Sequence, residues 1–338
     1  ARPFFLYLPH FGVHAPHEAK PELEEKFRQK GAVGGHRNPT YAAMIASVDQ
    51  SVGRVLDLLE ELRLSEQTIV LFASDNGGVG GYVREGIKEA GDVTDNAPLR
   101  SGKGSLYEGG TRVPLIARWP GVIAPGGRCD LPTIHVDLFP TLLEATGAAA
   151  PAQPLDGESL VPLFKNPAGT LRREAIFQHF PGYLGAGPGR WRTLPVSLVQ
   201  QGEWKLLEFL EDGRLELYNL QDDLGETRNL AEEQPERTRE LKARLDAWRR
   251  SIKAPLPQEN TEREPVQRKN RRRPVLRLEG PPGKASRSAS QKPSRGVEPG
   301  KRALARSVAG SGERVRSEPD RPRPGSPRRG RRRRVAHP

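Results

Sequence analysis

Three short stretches of this 338-residue chain carry side chains suited to binding ions or moving protons. The first is Asp75-Asn76, which follows the apolar run Thr68-Ile69-Val70-Leu71-Phe72-Ala73 and precedes Gly77-Gly78. A carboxylate beside an amide oxygen suits a hard cation such as Ca²⁺, which takes about six to eight oxygen ligands. The same Asp-Asn-Gly-Gly string is also ordinary turn chemistry. The second stretch holds His10, His14 and His17. Three imidazoles could bind a transition metal, one of them could meet an anionic substrate or donate a proton, or all three could belong to a polar loop. The third is Lys103, in Ser101-Gly102-Lys103-Gly104-Ser105. Glycines on both sides let an anion reach backbone amides and the ammonium together. The stretch is not a Walker A loop, because the first glycine and the strand-to-helix setting are wrong. Arg100 and Arg112 nearby read as structural or solvated. Cys129 is the single cysteine, so neither an intrachain disulfide nor a cysteine-rich zinc site is available, and it reads as an ordinary semi-buried thiol.

These residues need elements to place them. Residues 3–8, aromatic and branched and closed by Pro9, predict a short buried strand. Residues 9–39 predict a long loop with one helical turn at Pro21–Lys30. Met44, Val48, Val52, Val55, Leu59 and Leu62 share one face, which predicts a helix over about 40–63 that Thr40 can cap. After that crossover, the run at 68–73 predicts a parallel strand buried on both faces, with Asp75 at the edge where ligands gather in such sheets. Residues 77–112 form a long glycine-bearing loop, of the kind that serves as a lid or binding loop. A strand is expected at Val113–Trp119 and a helix at Val136–Thr146 ended by Gly147. A Pro/Ala/Gly connector follows to about residue 170. Residues 203–209 and 214–219 flank Glu211-Asp212-Gly213 as a hairpin, and Pro235–Ile252 forms an amphipathic helix with Leu241, Leu245 and Trp248 on one face.

The formal net charge of +12 misleads. Residues 271–338 hold 21 Lys and Arg against 5 Asp and Glu, a net of +16, so residues 1–270 are at −4. From about residue 256 there is no periodicity and almost no aromatic content, which predicts a disordered tail. No apolar run approaches the roughly 18–20 residues of a membrane-spanning helix. The chain opens almost directly on the apolar run, which reads as a processed or truncated product whose signal peptide would lie upstream.

The segments PFFLYLPHFGVHAPH, LFASDNGG and LRSGKGSLYEGGTRVPLIARWPG, in this order, resemble the sulfatase family of the alkaline-phosphatase-like superfamily. HVDLFPTLLEATG, LDGESLVPLF, GEWKLLEF and LELYNLQDDLGETRNL agree, so the resemblance covers about 1–265. It implies an α/β fold: a mostly parallel sheet flanked by helices over 1–150 that lacks its N-terminal strands, a smaller antiparallel subdomain over 151–255, and the tail at 256–338. It implies hydrolysis of a sulfate monoester from a sulfated small molecule or glycan. His14 then matches the histidine that touches the sulfate and helps the leaving oxygen gain a proton, and Lys103 the lysine on a sulfate oxygen. Asp75 and Asn76 match two divalent-metal ligands, usually for Ca²⁺. His10 and His17 match no catalytic position.

The family's formylglycine nucleophile arises in a C/S-x-P-x-R motif upstream of the first strand seen here, as do further metal and sulfate ligands. The chain alone is therefore expected to be nearly inactive and to hold Ca²⁺ weakly. Ser317-Glu318-Pro319-Asp320-Arg321 fits the pattern only by chance, within a segment holding 18 Arg. Two other readings stand beside this one: a phosphodiesterase or phosphonate hydrolase of the same superfamily, and a protein that binds nucleic acid or another polyanion nonspecifically through its basic tail. Specific nucleic-acid recognition is not expected, since the tail lacks aromatic residues for base stacking. Sulfatases of this type are commonly exported.

Overall fold

The computed structural model describes residues 2–87, 91–185 and 190–259. The tail from residue 260, with its arginine runs and the Ser317–Arg321 string, lies outside them. The described chain is α/β, and Ala1–Pro265 groups into one unit.

The first part is built on two helices. Helix α1 (Pro21–Lys30) packs on α2 (Pro39–Glu61), whose buried Ala43, Met44 and Leu59 follow the helical period. The α2 cap is Asn38, whose Oδ1 accepts the Tyr41 amide at 3.0 Å, not Thr40. Pro39, with its preset φ and no N–H to satisfy, starts the helix a residue earlier than the apolar period suggests. Strand β1 (Val70–Ala73) ends at the Asp75-Asn76 turn, and β2 (Leu115–Arg118) returns beside it.

Two expectations need correction here. β1 is only partly buried and pairs antiparallel with β2, Phe72 facing Ile116, rather than parallel between two neighbours. The connection between them, from 74 to 114, doubles back and, among the described residues, holds only a four-residue helix at Glu108–Thr111 in place of the long crossover helix that parallel pairing requires. Residues 3–8 form no strand, and Phe5 and Tyr7 are 77% and 76% exposed. Their composition favours a strand, but a strand exists only where a ladder partner lies alongside.

The larger sheet comprises β3 (Ile176–Phe180), β6 (Val196–Gln201), β7 (Trp204–Phe209) and β8 (Leu215–Asn219), in that order and antiparallel throughout. A two-stranded pair, β4 (Leu184–Gly185) with β5 (Trp191–Thr193), stands apart from it. Side chains alternate across β7, so the sheet has two dry faces. One carries Val199, Leu206 and Leu217 and is covered by Leu241, Leu245 and Trp248 of α6 (Pro235–Ser251). The other carries Leu198, Leu207 and Phe209 and is covered by Leu106 and Tyr107, just after Lys103. The short helix α3 (Glu108–Thr111) continues that segment.

Helices α4 (Leu138–Thr146), closed by left-handed Gly147, and α5 (Val161–Lys165) complete the layer. The predicted Pro/Ala/Gly connector thus contains α5. Buried Asp137, just before α4, takes both guanidinium nitrogens of Arg173 at 2.5 and 2.8 Å and the amides of Ile134 and Glu158. Burial opposes its ionisation, but these four bonds hold its carboxyl below the usual range. Among the described residues no helix is long and apolar enough to cross a membrane.

Candidate functional site

The Asp75-Asn76 turn leaves the end of β1 and runs into Gly77-Gly78. Gly77 donates its amide to Gly110 O at 3.0 Å, and a Cβ on Gly77 would lie 1.8 Å from Gly109 O. Only a glycine admits that approach. Lys103 donates its amide to Gly78 O at 3.0 Å, and Asn96 Nδ2 donates to the same oxygen and to Ser101 O, each at 3.0 Å. Two of the three candidate stretches therefore meet through their main chains.

The side chains fit their expected tasks to different degrees. Asp75 is exposed and has no ion-pair partner among the described residues. Asn76 Nδ2 donates to Gly77 O at 3.0 Å, which engages the half of the amide that a cation cannot use. The donor set is thus one carboxylate and one amide oxygen, hard in character and right for Ca²⁺ or a similar ion, but a fraction of a full shell. No group of three or more His, Cys, Asp or Glu poised for a metal occurs among the described residues. Lys103 is half-buried, with no carboxylate paired to its Nζ among the described residues, so its charge is available to an anion.

His14 is exposed, and its Nδ1 donates to Ala15 O at 2.8 Å, which leaves Nε2 facing outward chemistry. Its loop lies along α2: His10 shares a hydrogen bond with Ser51 Oγ, His17 meets the Tyr41 ring edge-on, and Gly12 backs onto Val48. Tyr41 in turn lies beside Gly78, its hydroxyl 3.6 Å from where a Cβ would stand. The histidine stretch thus reaches the other two by way of α2, with no direct bond from His14 to Asp75, Asn76 or Lys103. His10 and His17 serve as packing residues of that loop.

The sequence reading missed His135, whose Nε2–H donates to Ser74 O at 2.8 Å, one residue before Asp75. A single exposed histidine ahead of a helix gave no signal for this. It also missed a buried ionic cluster that fixes the segment after Lys103. Lys205 Nζ on β7 lies 2.8 Å from Glu108 Oε1 and 2.9 Å from Glu226 Oε1, with all three side chains sealed from solvent. Glu226 Oε2 accepts the Glu108 amide at 2.7 Å, and Arg112 Nε donates to Glu108 Oε2 at 2.6 Å. Burial opposes charge on Glu108, but Lys205 and Arg112 hold its carboxyl low; burial pushes Glu226 up against the pull of Lys205.

Beside the cluster, Arg100 stacks 3.7 Å from the Tyr107 ring centre and donates to Tyr218 Oη and Glu226 O. Arg100 and Arg112 are structural, as their setting suggested. Cys129 is exposed, not semi-buried. A cavity of about 620 Å³ between β2, α5 and the sheet is lined by Cys129, His135 and Arg112, but by none of His14, Asp75, Asn76 or Lys103.

A family model described as Sulfatase matches residues 1–148, and one described as N-sulphoglucosamine sulphohydrolase, C-terminal, matches 102–251. The chain is similar to a sulfatase of Formosa agariphila, 38% identical over 252 residues, covering 69% of this chain and 43% of that protein. It is also similar to N-acetylgalactosamine-6-O-sulfatase of Bacteroides thetaiotaomicron, 32% identical over 255 residues, covering 72% and 47%. Among solved structures, Ps i-CgsB superposes with a TM-score of 0.60 at 28% identity, covering 73% of this chain and 50% of that one. The chain belongs to the sulfatase family, with its alkaline-phosphatase-like α/β fold. It spans less than half the length of the two curated relatives.

Proposed function

We propose that the protein to which this chain belongs hydrolyses sulfate monoesters, and that His14, Asp75, Asn76 and Lys103 are its part of the active site. The observation that carries this reading is the bond from the Lys103 amide to Gly78 O at 3.0 Å, which sets an unpaired ammonium-bearing loop against the Asp75-Asn76 turn. A sulfate ester carries negative charge that shifts to the leaving oxygen as the ester bond breaks. Cationic groups placed in advance at those oxygens lower the barrier, because the site need not reorganise as charge moves.

Lys103 binds a non-bridging sulfate oxygen. His14 contacts the ester and delivers a proton to the departing oxygen from Nε2, since its Nδ1–H is committed to Ala15 O. Asp75 and Asn76 would supply two oxygens to a Ca²⁺ ion, which would add positive charge beside the sulfate. The formylglycine nucleophile of the family is not drawn from residues 1–338, where Cys129 sits in Gly127-Arg128-Cys129-Asp130-Leu131 with no Pro or Arg at the motif spacing. A sulfated sugar is the favoured substrate class, because Ps i-CgsB has also been solved in complex with k-i-k-neocarrahexaose; a steryl-sulfatase of Mus musculus, 33% identical and covering 76% of this chain, makes a sulfated steroid the second reading. Export from the cell follows the habit of the family.

The test is turnover of an aryl sulfate by the whole protein. Lys103→Ala and His14→Ala are each expected to lower the rate by about 10²–10³, the usual loss for a missing oxyanion donor. Rates within a factor of about three of the unaltered protein would remove these residues from the mechanism, since a group acting at the transition state contributes more than that.

A further inference from the structure

We propose that Arg192 is the positioning residue for Lys103; this rests on the sulfate-ester reading of Lys103. Arg192 lies on β5, nearly ninety residues from Lys103, and its side chain has no exposed surface. Its guanidinium donates from Nε to Lys103 O at 3.2 Å, from Nη2 to Gly80 O at 2.7 Å, and from Nη1 to Glu85 Oε2 at 2.6 Å. The plane is stacked 3.9 Å from the centre of the Tyr82 ring. The next residue, Thr193, donates its hydroxyl to Gly104 O.

Both ends of the loop that separates the Asp75-Asn76 turn from Lys103 are therefore gripped by one side chain. The Lys103 peptide is fixed on its amide side by Gly78 and on its carbonyl side by Arg192. A planar fork with donors in fixed directions can span two carbonyls and a carboxylate at once, whereas a lysine offers a single point of charge. The charge matters as well as the fork. A buried cation bonded to the carbonyl of Lys103 disfavours the Lys103 ammonium folding back onto its own main chain, and turns it toward an incoming anion. Arg192 touches no candidate reacting atom, so its effect is exerted through Lys103.

The experiment uses the whole protein, with inorganic sulfate as the probe and amide hydrogen exchange as the second readout. Arg192→Met keeps the stem and removes the fork; Arg192→Lys keeps the charge and one donor. Glu85 is partly exposed and can turn to solvent in both variants. Arg192→Met is expected to speed exchange at 78–82 and 101–105 by at least about tenfold, the effect on a local opening equilibrium of losing charge-assisted bonds, with 204–209 unchanged. Sulfate affinity is expected to fall by about tenfold, with Arg192→Lys between the two, as a residue acting through another requires.

Unchanged exchange in Arg192→Met overturns the proposal. So does faster exchange with unchanged sulfate affinity, provided that Lys103→Ala weakens sulfate; the reading of Lys103 then survives without its clamp. If the unaltered whole protein binds no sulfate, or its Lys103→Ala variant binds it equally well, the reading of Lys103 fails first and the clamp has nothing to position.

Discussion

Lys205→Met tests whether the buried ionic cluster holds the Lys103 segment to the sheet. The substitution keeps the stem and removes an ammonium lying 2.8 Å from Glu108 and 2.9 Å from Glu226. Removing one partner of a buried ion pair costs about 3–5 kcal/mol. Glu108 keeps its bond from Arg112, which places the expected loss near the lower end, about 3 kcal/mol at pH 7. Glu226 keeps only the Glu108 amide and relieves itself by taking up a proton.

Its folded pKa is already raised, and loss of Lys205 raises it further. A carboxyl raised on folding binds more protons in the folded state than in the unfolded one. Stability of the variant therefore rises as pH falls from neutrality toward the unfolded value, and the deficit shrinks by at most about 1.4 kcal/mol per pH unit for a single proton. Urea titrations followed by tryptophan fluorescence at pH 7 and pH 5 are expected to show a smaller deficit at pH 5, since Glu226 takes up its proton at a higher pH in the variant than in the unaltered protein. The double variant Lys205→Met/Glu226→Gln is expected to recover most of the loss, since it removes the stranded charge and retains the acceptor for Glu108. A deficit under about 1 kcal/mol at both pH values, or the same deficit at both, would refute the reasoning, because the pair would then not be a desolvated one.

Asp137→Asn is expected to cost about 3 kcal/mol at neutral pH in the same titrations, since it strands Arg173. The Asp137 carboxyl is held low in the fold, so its contribution is present above its ordinary value and fades as pH falls through the folded one. The deficit of Asp137→Asn should accordingly close in strong acid, and one that persisted there would contradict the pairing. Gly77→Ala is expected to detach the turn from Gly109 and Gly110, because its methyl would overlap Gly109 O. Limited proteolysis of the 77–103 loop should accelerate in that variant, and an unchanged digestion rate would contradict the close approach.

Local signals in the sequence were clear where a single element satisfies them. The apolar period of α2, the β7–β8 hairpin and the leucine face of α6 appear within a residue or two of where the pattern puts them. Asp75 also lies just past the end of a strand, two residues after Ala73. What failed depends on partners elsewhere in the chain. Residues 3–8 have strand composition but no ladder beside them, and β1 takes its direction from β2 rather than from its own residues. Strand β6 was overlooked, although Val-Ser-Leu-Val and the tight Gly202 turn into β7 are hairpin signals. Lys205 had a signal too: it alternates with Leu207 and Phe209 on a face that is otherwise dry. Its partners, 97 residues before it in Glu108 and further along in Glu226, could not be named from spacing.

The bonds that place Lys103 end on peptide oxygens, those of Gly78, Gly80, Ser101, Lys103 and Gly104. Every residue type carries such an oxygen. Between Tyr82 and Asn96, those described side chains that bond neither Arg192 nor the loop backbone can therefore be exchanged without disturbing the anchorage of the lysine, whereas Glu85, Asp92 and Asp95 make such bonds. On the proposed reading of Lys103, the architecture separates what must stay from what can drift, since outward side chains can change while the charge proposed to meet the sulfo group keeps its place.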